Sequence, residues 1–212
     1  MARPRLISDE EILGTVRSAV LDDGPRVSLD IVADRLGVTA PALFKRFGSR
    51  NALLLAALAP SRPDFLDLLA GGPDGRPFAK QLEELFESIA GWCRAAVPCM
   101  VALKGSGISF EEVHTALGEA PPVVVSRTLA AWLQRAHRAG LAHVSDSETT
   151  SVAMMGALHT RAFLSHLLRK PASPRELAED AKRFTKLFVE GLSPHLPNAK
   201  RKSRPTTTSK KR

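Results

Sequence analysis

Residues 27–54 read VSLDIVADRLGVTAPALFKRFGSRNALL and contain three short segments in which apolar residues recur at helical spacing. Ser28 is a favourable N-cap for the first segment, and Gly37 is a favourable C-cap at its end. Thr39 caps the second segment directly afterwards, and Ser49 precedes the third. Two short helices that meet at a tight glycine turn are typical of a helix-turn-helix, so this stretch predicts one.

The second helix of this motif has two distinct faces. Leu43 and Phe47 lie four residues apart and are expected to pack inward. The remaining surface is small at the start of the helix, basic at its end, and free of acidic residues. Such a helix can enter a major groove about 12 Å wide and bind the flanking phosphates. The outward residues are Ala40, Pro41, Phe44, Lys45 and Arg46, followed by Arg50.

The rest of the chain also predicts helices and no strands, which makes the expected fold class all-α. The sequence GGPDGRP at residues 71–77 is the clearest internal break. We therefore expect a helix-turn-helix domain over residues 1–50, a connecting fourth helix of about 50–70 that Pro60 and Pro63 disturb, and a second domain over 71–196. The further helices are expected at 8–23, 78–103, 109–117, 122–138, 147–169 and 174–192.

The net charge of +8 comes almost entirely from the C-terminal end. Residues 199–212 hold seven of the 30 basic residues and none of the 22 acidic ones, so the rest of the chain has 23 basic against 22 acidic residues. This composition predicts a disordered basic tail over 197–212. An argument for DNA binding must therefore rest on the local pattern of residues 27–54 and not on global charge.

Several protein classes are not expected. The chain lacks the glycine-rich phosphate loop, the nucleophile elbow and the metalloprotease motif of common enzymes, so an enzyme is not predicted. No uncharged apolar run approaches about 18 residues, and the N-terminus turns acidic where a signal peptide is apolar. We therefore expect no membrane association and a cytoplasmic location.

The cysteines and histidines do not predict a metal or any other cofactor. Cys93 and Cys99 are too few for a disulfide framework, and at six residues apart on one helix they point about 240° from each other. His159 and His166 lie seven residues apart, without the close spacing that metal sites favour.

The helix-turn-helix stretch resembles the TetR family of bacterial transcriptional regulators over some 50 residues. The resemblance is carried by Ala33 with Gly37-Val38, by Leu43-Phe44 with Phe47, and by Arg50 with Leu53-Leu54. Two positions depart from the family pattern. Phe44 stands where a tyrosine is usual, so a hydroxyl that contacts phosphate is missing, and Arg50 replaces a lysine while keeping its charge. A weaker likeness at residues 139–146 matches the stretch that leads into the family's first dimerisation helix.

The resemblance implies an N-terminal three-helix helix-turn-helix head plus a C-terminal helical ligand-binding and dimerisation bundle. It implies a ligand-responsive transcriptional regulator, expected to be a repressor, that binds palindromic operator DNA as a homodimer. Because the recognition helix offers few hydrogen-bonding side chains, we expect contacts to thymine methyl groups and DNA shape to carry much of the specificity. The predicted DNA-binding residues are Ser28, Thr39, Ala40, Pro41, Phe44, Lys45, Arg46 and Arg50.

The second region is expected to hold a small apolar effector. It contains no tyrosine and few charges that would lie inside a bundle, which favours an apolar ligand with few hydrogen bonds. Large and soft side chains are the candidates to line the cavity, although each could equally be ordinary core. They are Phe86, Trp92, Met100, Phe110, Met154, His159 and Phe163.

The homodimer is expected to form through residues of about 147–170 and 174–192. The first of these segments is apolar on nearly two faces, so it needs cover on both sides. One face can pack in its own domain and the other against a partner subunit, and a monomeric core is the alternative. A dimer would also place two heads on a palindrome.

Two other functions stay open at this stage. The chain could be a helical small-molecule-binding protein without specific DNA readout, which Phe44 and the alanine-rich recognition helix favour. It could also bind DNA without sequence preference through the basic tail.

Overall fold

The structure is a computed structural model that describes residues 7–60 and 62–191; the side chains of Phe110 and Leu117 and the predicted tail over 197–212 lie outside this description. The described residues form ten α-helices and no strand, so the all-α prediction is confirmed. The helices are α1 (Asp9–Asp23), α2 (Leu29–Leu36), α3 (Ala40–Phe47), α4 (Arg50–Leu58), α5 (Phe65–Gly71), α6 (Phe78–Gly105), α7 (Phe110–Leu117), α8 (Pro121–Arg138), α9 (Ser147–Leu167) and α10 (Pro174–Glu190).

Local capping residues fix most of these helix starts. Ser8 accepts a hydrogen bond from the Glu11 amide, and Ser49 accepts one from the Ala52 amide. Ser173 forms a full capping box at the start of α10, in which side chain and backbone groups bond reciprocally. Each of these bonds satisfies an amide at the helix N-terminus that has no partner within the helix.

The connecting segment of about 50–70 forms two helices, with an interruption at the two prolines that the sequence indicates. Helix α4 ends at Leu58, and α5 begins at Phe65 after a short link. Pro60 and Pro63 lie in this link, and a proline both lacks the amide donor and disfavours helical geometry in the residue before it. Pro98, in contrast, lies inside the continuous helix α6.

The helices surround two hydrophobic cores. The first core joins α1 to α4 with the C-terminal end of α6, and the second joins α5, the N-terminal part of α6, α8, α9 and α10. The DNA-reading head predicted to end near residue 50 therefore has a core that extends through α4 and into α6. Its buried members beyond residue 50 are Leu53, Leu54, Leu55, Ala57, Leu58, Cys99, Ala102, Leu103 and Ile108.

Helix α6 is the one described element whose buried residues belong to both cores. Phe86 and Ile89 are fully buried in the second core, whereas Leu103 is buried in the first. Within the described residues, α6 alone is long and apolar enough to cross a membrane by length and composition, but 56% of that stretch is buried inside the protein. This burial is what a core helix shows.

We expect Leu103→Ala to destabilise the protein by about 2–5 kcal/mol, because it leaves a cavity in the first core. The matched variant Leu68→Ala makes the same change on α5 at a side chain that is 66% exposed, and should cost less than about 0.5 kcal/mol. Urea unfolding followed by circular dichroism at one fixed protein concentration measures both. Equal losses in the two variants would contradict the assignment of α6 to the first core.

Candidate nucleic-acid interface and ligand groove

The turn between α2 and α3 is closed by backbone hydrogen bonds around Gly37. Gly37 has a φ of 66°, in the left-handed region that favours glycine. Its amide donates to the Asp34 carbonyl at 3.1 Å, and the Val38 amide donates to the Ala33 carbonyl at 3.0 Å. These bonds end α2 and allow α3 to start only three residues later, as a helix-turn-helix requires.

Helix α3 shows the two faces that the sequence predicts. Leu43 is 1% exposed and Phe47 is half-buried against the first core. On the other side Pro41 and Lys45 are exposed, and Phe44 keeps 37% of its surface in contact with solvent. The exposed face is therefore apolar and small toward its start and positively charged toward its end.

Two of the predicted DNA-binding arginines are bound within the head. Arg46 Nε lies 2.5 Å from Asp9 Oδ1, and its Nη1 donates to the Ile7 carbonyl at 2.7 Å. Arg50 Nη2 donates to the Pro25 carbonyl at 2.8 Å. The bonds of Arg46 connect α3 to the start of α1, and the bond of Arg50 connects α4 to the α1–α2 loop. Both arginines therefore stabilise the packing of the head. A contact of either side chain with DNA stays a prediction.

The other polar candidates differ in whether their side chains already form hydrogen bonds or ion pairs within the head. Ser28 caps α2, and its hydroxyl exchanges hydrogen bonds with Asp30. The Thr39 hydroxyl makes no capping bond to α3, and Lys45 forms no ion pair within the described residues. A contact of Thr39 or Lys45 with phosphate stays a prediction. Ala40 is half-buried and packs partly against the first core.

Sequence reasoning missed the contacts that join the head to the second domain. Asn51 on α4 donates to Glu112 on α7 at 3.0 Å. The hydrogen bond from the Ser109 amide, together with those from Asn51 and the Ser109 hydroxyl, lowers the pKa of Glu112. At the end of α6, a Cβ on Gly105 would lie 3.0 Å from the ring of Pro25. These partners are far apart in sequence, so no local pattern indicates them.

Three of the predicted ligand-binding residues meet in one groove between α6 and α9. Met100, His159 and Phe163 line an open groove of about 330 Å³, together with Val97, Val101 and Thr160. Phe163 is 44% exposed and Met100 is 38% exposed, so the groove is open to solvent on one side. Its walls are mostly apolar, which suits a small apolar molecule.

The remaining ligand candidates lie elsewhere. Phe86 is fully buried and packs edge-on against Phe188, with ring centres 5.8 Å apart, and its place in a ligand cavity stays a prediction. Met154 is buried and lines a separate cavity of about 500 Å³ among α6, α8, α9 and α10. Trp92 stacks on His159, which is one of the residues that line the groove. The Phe110 side chain lies outside the described residues.

His159 is a polar, titratable side chain in a mostly apolar groove. Its Nε2 atom is buried and has no hydrogen-bond partner among the described residues, while the Trp92 ring stacks at a centroid distance of 6.3 Å. Burial lowers the pKa of His159 because a charged imidazolium loses its hydration there. The residue is therefore held neutral near pH 7.

The two cysteines are buried and unbridged, one in each core. Burial raises the pKa of the Cys93 thiol to about 12, and it also raises the pKa of Cys99. Among the residues that the structure describes, no group of three or more His, Cys, Asp or Glu side chains is arranged to hold a metal ion.

Helix α9 has an exposed apolar face opposite its buried one. Met154, Met155 and Leu158 point into the second core, while Val152 is 64% exposed and Leu167 is 60% exposed. The outer face of α10 is mixed, because the exposed Leu187 and Val189 lie among charged residues. Those charged residues are Lys182, Arg183, Lys186 and Glu190.

An all-α chain with a helix-turn-helix at its N-terminus and a larger helical bundle behind it has the architecture of a bacterial DNA-binding regulator. The family model described as "Bacterial regulatory proteins, tetR family" matches residues 22–57. A second model, "AefR-like transcriptional repressor, C-terminal domain", matches residues 92–190. The chain belongs to the TetR family of bacterial transcriptional regulators, whose members bind DNA and are not enzymes.

Solved structures show the same fold at low sequence identity. The TetR family regulator PfmR from Thermus thermophilus is 20% identical, with a TM-score of 0.66 over 86% of this chain and 98% of that one. GusR from Salmonella enterica is 15% identical, with a TM-score of 0.62 over 89% and 98%. A TetR family regulator from Pseudomonas syringae pv. tomato str. DC3000 is 19% identical, with a TM-score of 0.57 over 85% and 97%. A search of the curated proteins by sequence finds no match.

We expect Lys45→Ala to weaken binding to every DNA sequence and to reduce the slope of log affinity against log salt by about one, because one phosphate contact is lost. The matched control is Lys80→Ala, which removes an exposed lysine at the start of α6, far from the head in the fold. Fluorescence anisotropy with a labelled duplex at several salt concentrations measures both. An unchanged slope for Lys45→Ala would remove this residue from the interface.

We expect His159 to make stability pH-dependent. Because its pKa is lowered in the folded protein, the unfolded chain binds more protons as pH falls through the unfolded value of about 6.5, and folding stability decreases. The variant His159→Gln cannot titrate, so wild type should lose stability relative to it between about pH 7.5 and 5.5. Urea unfolding of both proteins across this range tests the expectation, and a constant difference between them would refute it.

Proposed function

We propose that this protein is an effector-responsive transcriptional repressor that binds a palindromic operator as a homodimer in the cytoplasm. The two family models support this proposal, since the second is described as a repressor domain. The observation that carries it is the outward face of α3, which is exposed, free of acidic residues and held rigidly by the buried Leu43.

Helix α3 is the proposed recognition helix. Its exposed Pro41 and Phe44 can contact thymine methyl groups in the major groove, and Lys45 can bind a phosphate beside them. Few hydrogen-bond donors face the bases, so sequence preference would depend largely on DNA shape. Thr39 would hold a second phosphate at the start of the helix.

The exposed face of α9 is the proposed dimer interface. One small head makes few contacts, whereas two heads placed about 34 Å apart would read two half-sites on one side of the duplex. An exposed apolar face on a regulatory domain is the kind of surface that a partner subunit covers.

The groove between α6 and α9 is the proposed effector site. It brings together Met100, His159 and Phe163, and one of its walls belongs to the helix that joins the two cores. An effector that prefers one spacing of α6 and α9 would shift the population of head positions and thereby change operator affinity.

The decisive experiment is selection from a random duplex library by the full-length protein at roughly 150 mM salt, where specific binding still exceeds nonspecific binding. Enrichment of a palindromic motif with half-sites about one helical turn apart would support the proposal. A folded protein that enriches no motif would overturn it and favour a small-molecule-binding protein without specific DNA readout. The same selection with a chain ending at residue 198 separates the head from the basic tail, since motif enrichment should not depend on residues 199–212.

A further inference from the structure

The groove between α6 and α9 is an incomplete site within one chain. Its lining residues Thr160 and Phe163 are themselves exposed, and so are Met100 and Val101 on the opposite wall. A pocket that has high affinity for a small molecule encloses most of the surface of that molecule. A molecule in this groove would therefore stay in contact with water along one side unless something covers it.

The open side of the groove continues into the exposed face of α9. At about 100° per residue, Val152, Gly156, Thr160, Phe163 and Leu167 fall within an arc of about 80° on the side opposite the buried residues. None of the five is charged, and all are exposed. They extend over about 23 Å of helix, so the groove lies at the edge of a long uncharged surface.

Gly156 at the centre of this face indicates what covers it. A glycine inside a helix costs roughly 1 kcal/mol relative to alanine. A Cβ at Gly156 would meet no atom of the described residues within 4 Å, so no contact among them requires the small residue. A second helix that crosses α9 at this point would make use of the missing side chain, since glycine allows a close approach of backbone.

We infer that a second copy of this chain packs on the α9 face and forms the missing wall of the groove, so that effector binding and dimerisation are coupled. The inference rests on the proposed function, which supplies both the effector and the dimer. The ligand class follows from the lining: an apolar body against Val97, Met100 and Phe163, with one hydrogen-bonding group for Thr160 or the neutral His159.

Coupling has a thermodynamic consequence that can be measured in solution. A ligand that binds the dimer and not the monomer lowers the dimer dissociation constant by mass action. With the neutral fluorescent probe N-phenyl-1-naphthylamine at saturation, we expect this constant to fall at least about fivefold in analytical ultracentrifugation. Probe fluorescence per chain should also decrease on dilution through the range in which the dimer dissociates. Fluorescence that stays proportional to chain concentration would overturn the inference.

Two variants separate the interface from the groove. Val152→Arg places a charge on the α9 face about 10 Å along the helix from His159, outside the groove lining, and should give a folded monomer that no longer binds the probe. Met100→Trp fills the groove from α6 and should give a dimer without probe binding. Leu68→Arg changes an equally exposed leucine on α5 and should behave as wild type.

The outcomes distinguish this inference from the proposed function. A monomeric Val152→Arg protein that binds the probe with wild-type affinity would show that the groove is complete in one chain, which overturns the inference and leaves the regulator intact. Wild-type probe binding by Met100→Trp would place the probe elsewhere and overturn it as well. A Val152→Arg protein that remains dimeric would refute the α9 interface itself, whereas failure of the proposed DNA readout would appear only in the operator selection.

Discussion

The sharing of helix α6 between two hydrophobic cores determines how the rest of the molecule is arranged. Its first half buries Phe86 and Ile89 among α8, α9 and α10, and its last turns bury Leu103 against α1 and α4. A side chain cannot leave either core without losing several kcal/mol of packing free energy. The position of the head is consequently coupled to that of α6, whose other end belongs to the core of the regulatory domain.

The contacts at the C-terminal end of α6 also hold the recognition helix α3 in position. Pro25 packs beside Gly105 of α6, and its carbonyl accepts a hydrogen bond from Arg50 at the start of α4. Asn51, the next residue, bonds to Glu112 on α7. A small displacement of α6 therefore reaches the first turn of α4, which packs directly against α3. Close-packed interfaces of this kind respond to displacement by moving as units.

Local sequence signals predicted the elements well because helix ends depend on neighbouring residues. Ser8, Ser49 and Ser173 cap helices in the structure as their positions indicate, and Gly37 adopts the left-handed turn between α2 and α3. The fourth helix ends at Leu58, just before the two prolines that indicate an interruption.

The site was harder to predict than the elements. Arg46 bonds to Ile7 across 39 positions, and Asn51 bonds to Glu112 across 61. Such pairings depend on how helices pack, which periodicity in one chain does not encode. For the same reason, the sequence does not distinguish Phe86 from Met100 as ligand candidates. Phe86 is buried in the second core, whereas Met100 lines the groove.

Because one thiol lies in each hydrophobic core, thiol labelling can report on the two cores separately. Cys93 and Cys99 lie on the same helix, yet one belongs to the regulatory core and the other to the core of the head. Because both are buried and protonated, reaction with a thiol reagent under native conditions requires local opening. Labelling rates followed by mass spectrometry would therefore report the opening free energy of each core, and a ligand that tightens one core while loosening the other would change the two rates in opposite directions.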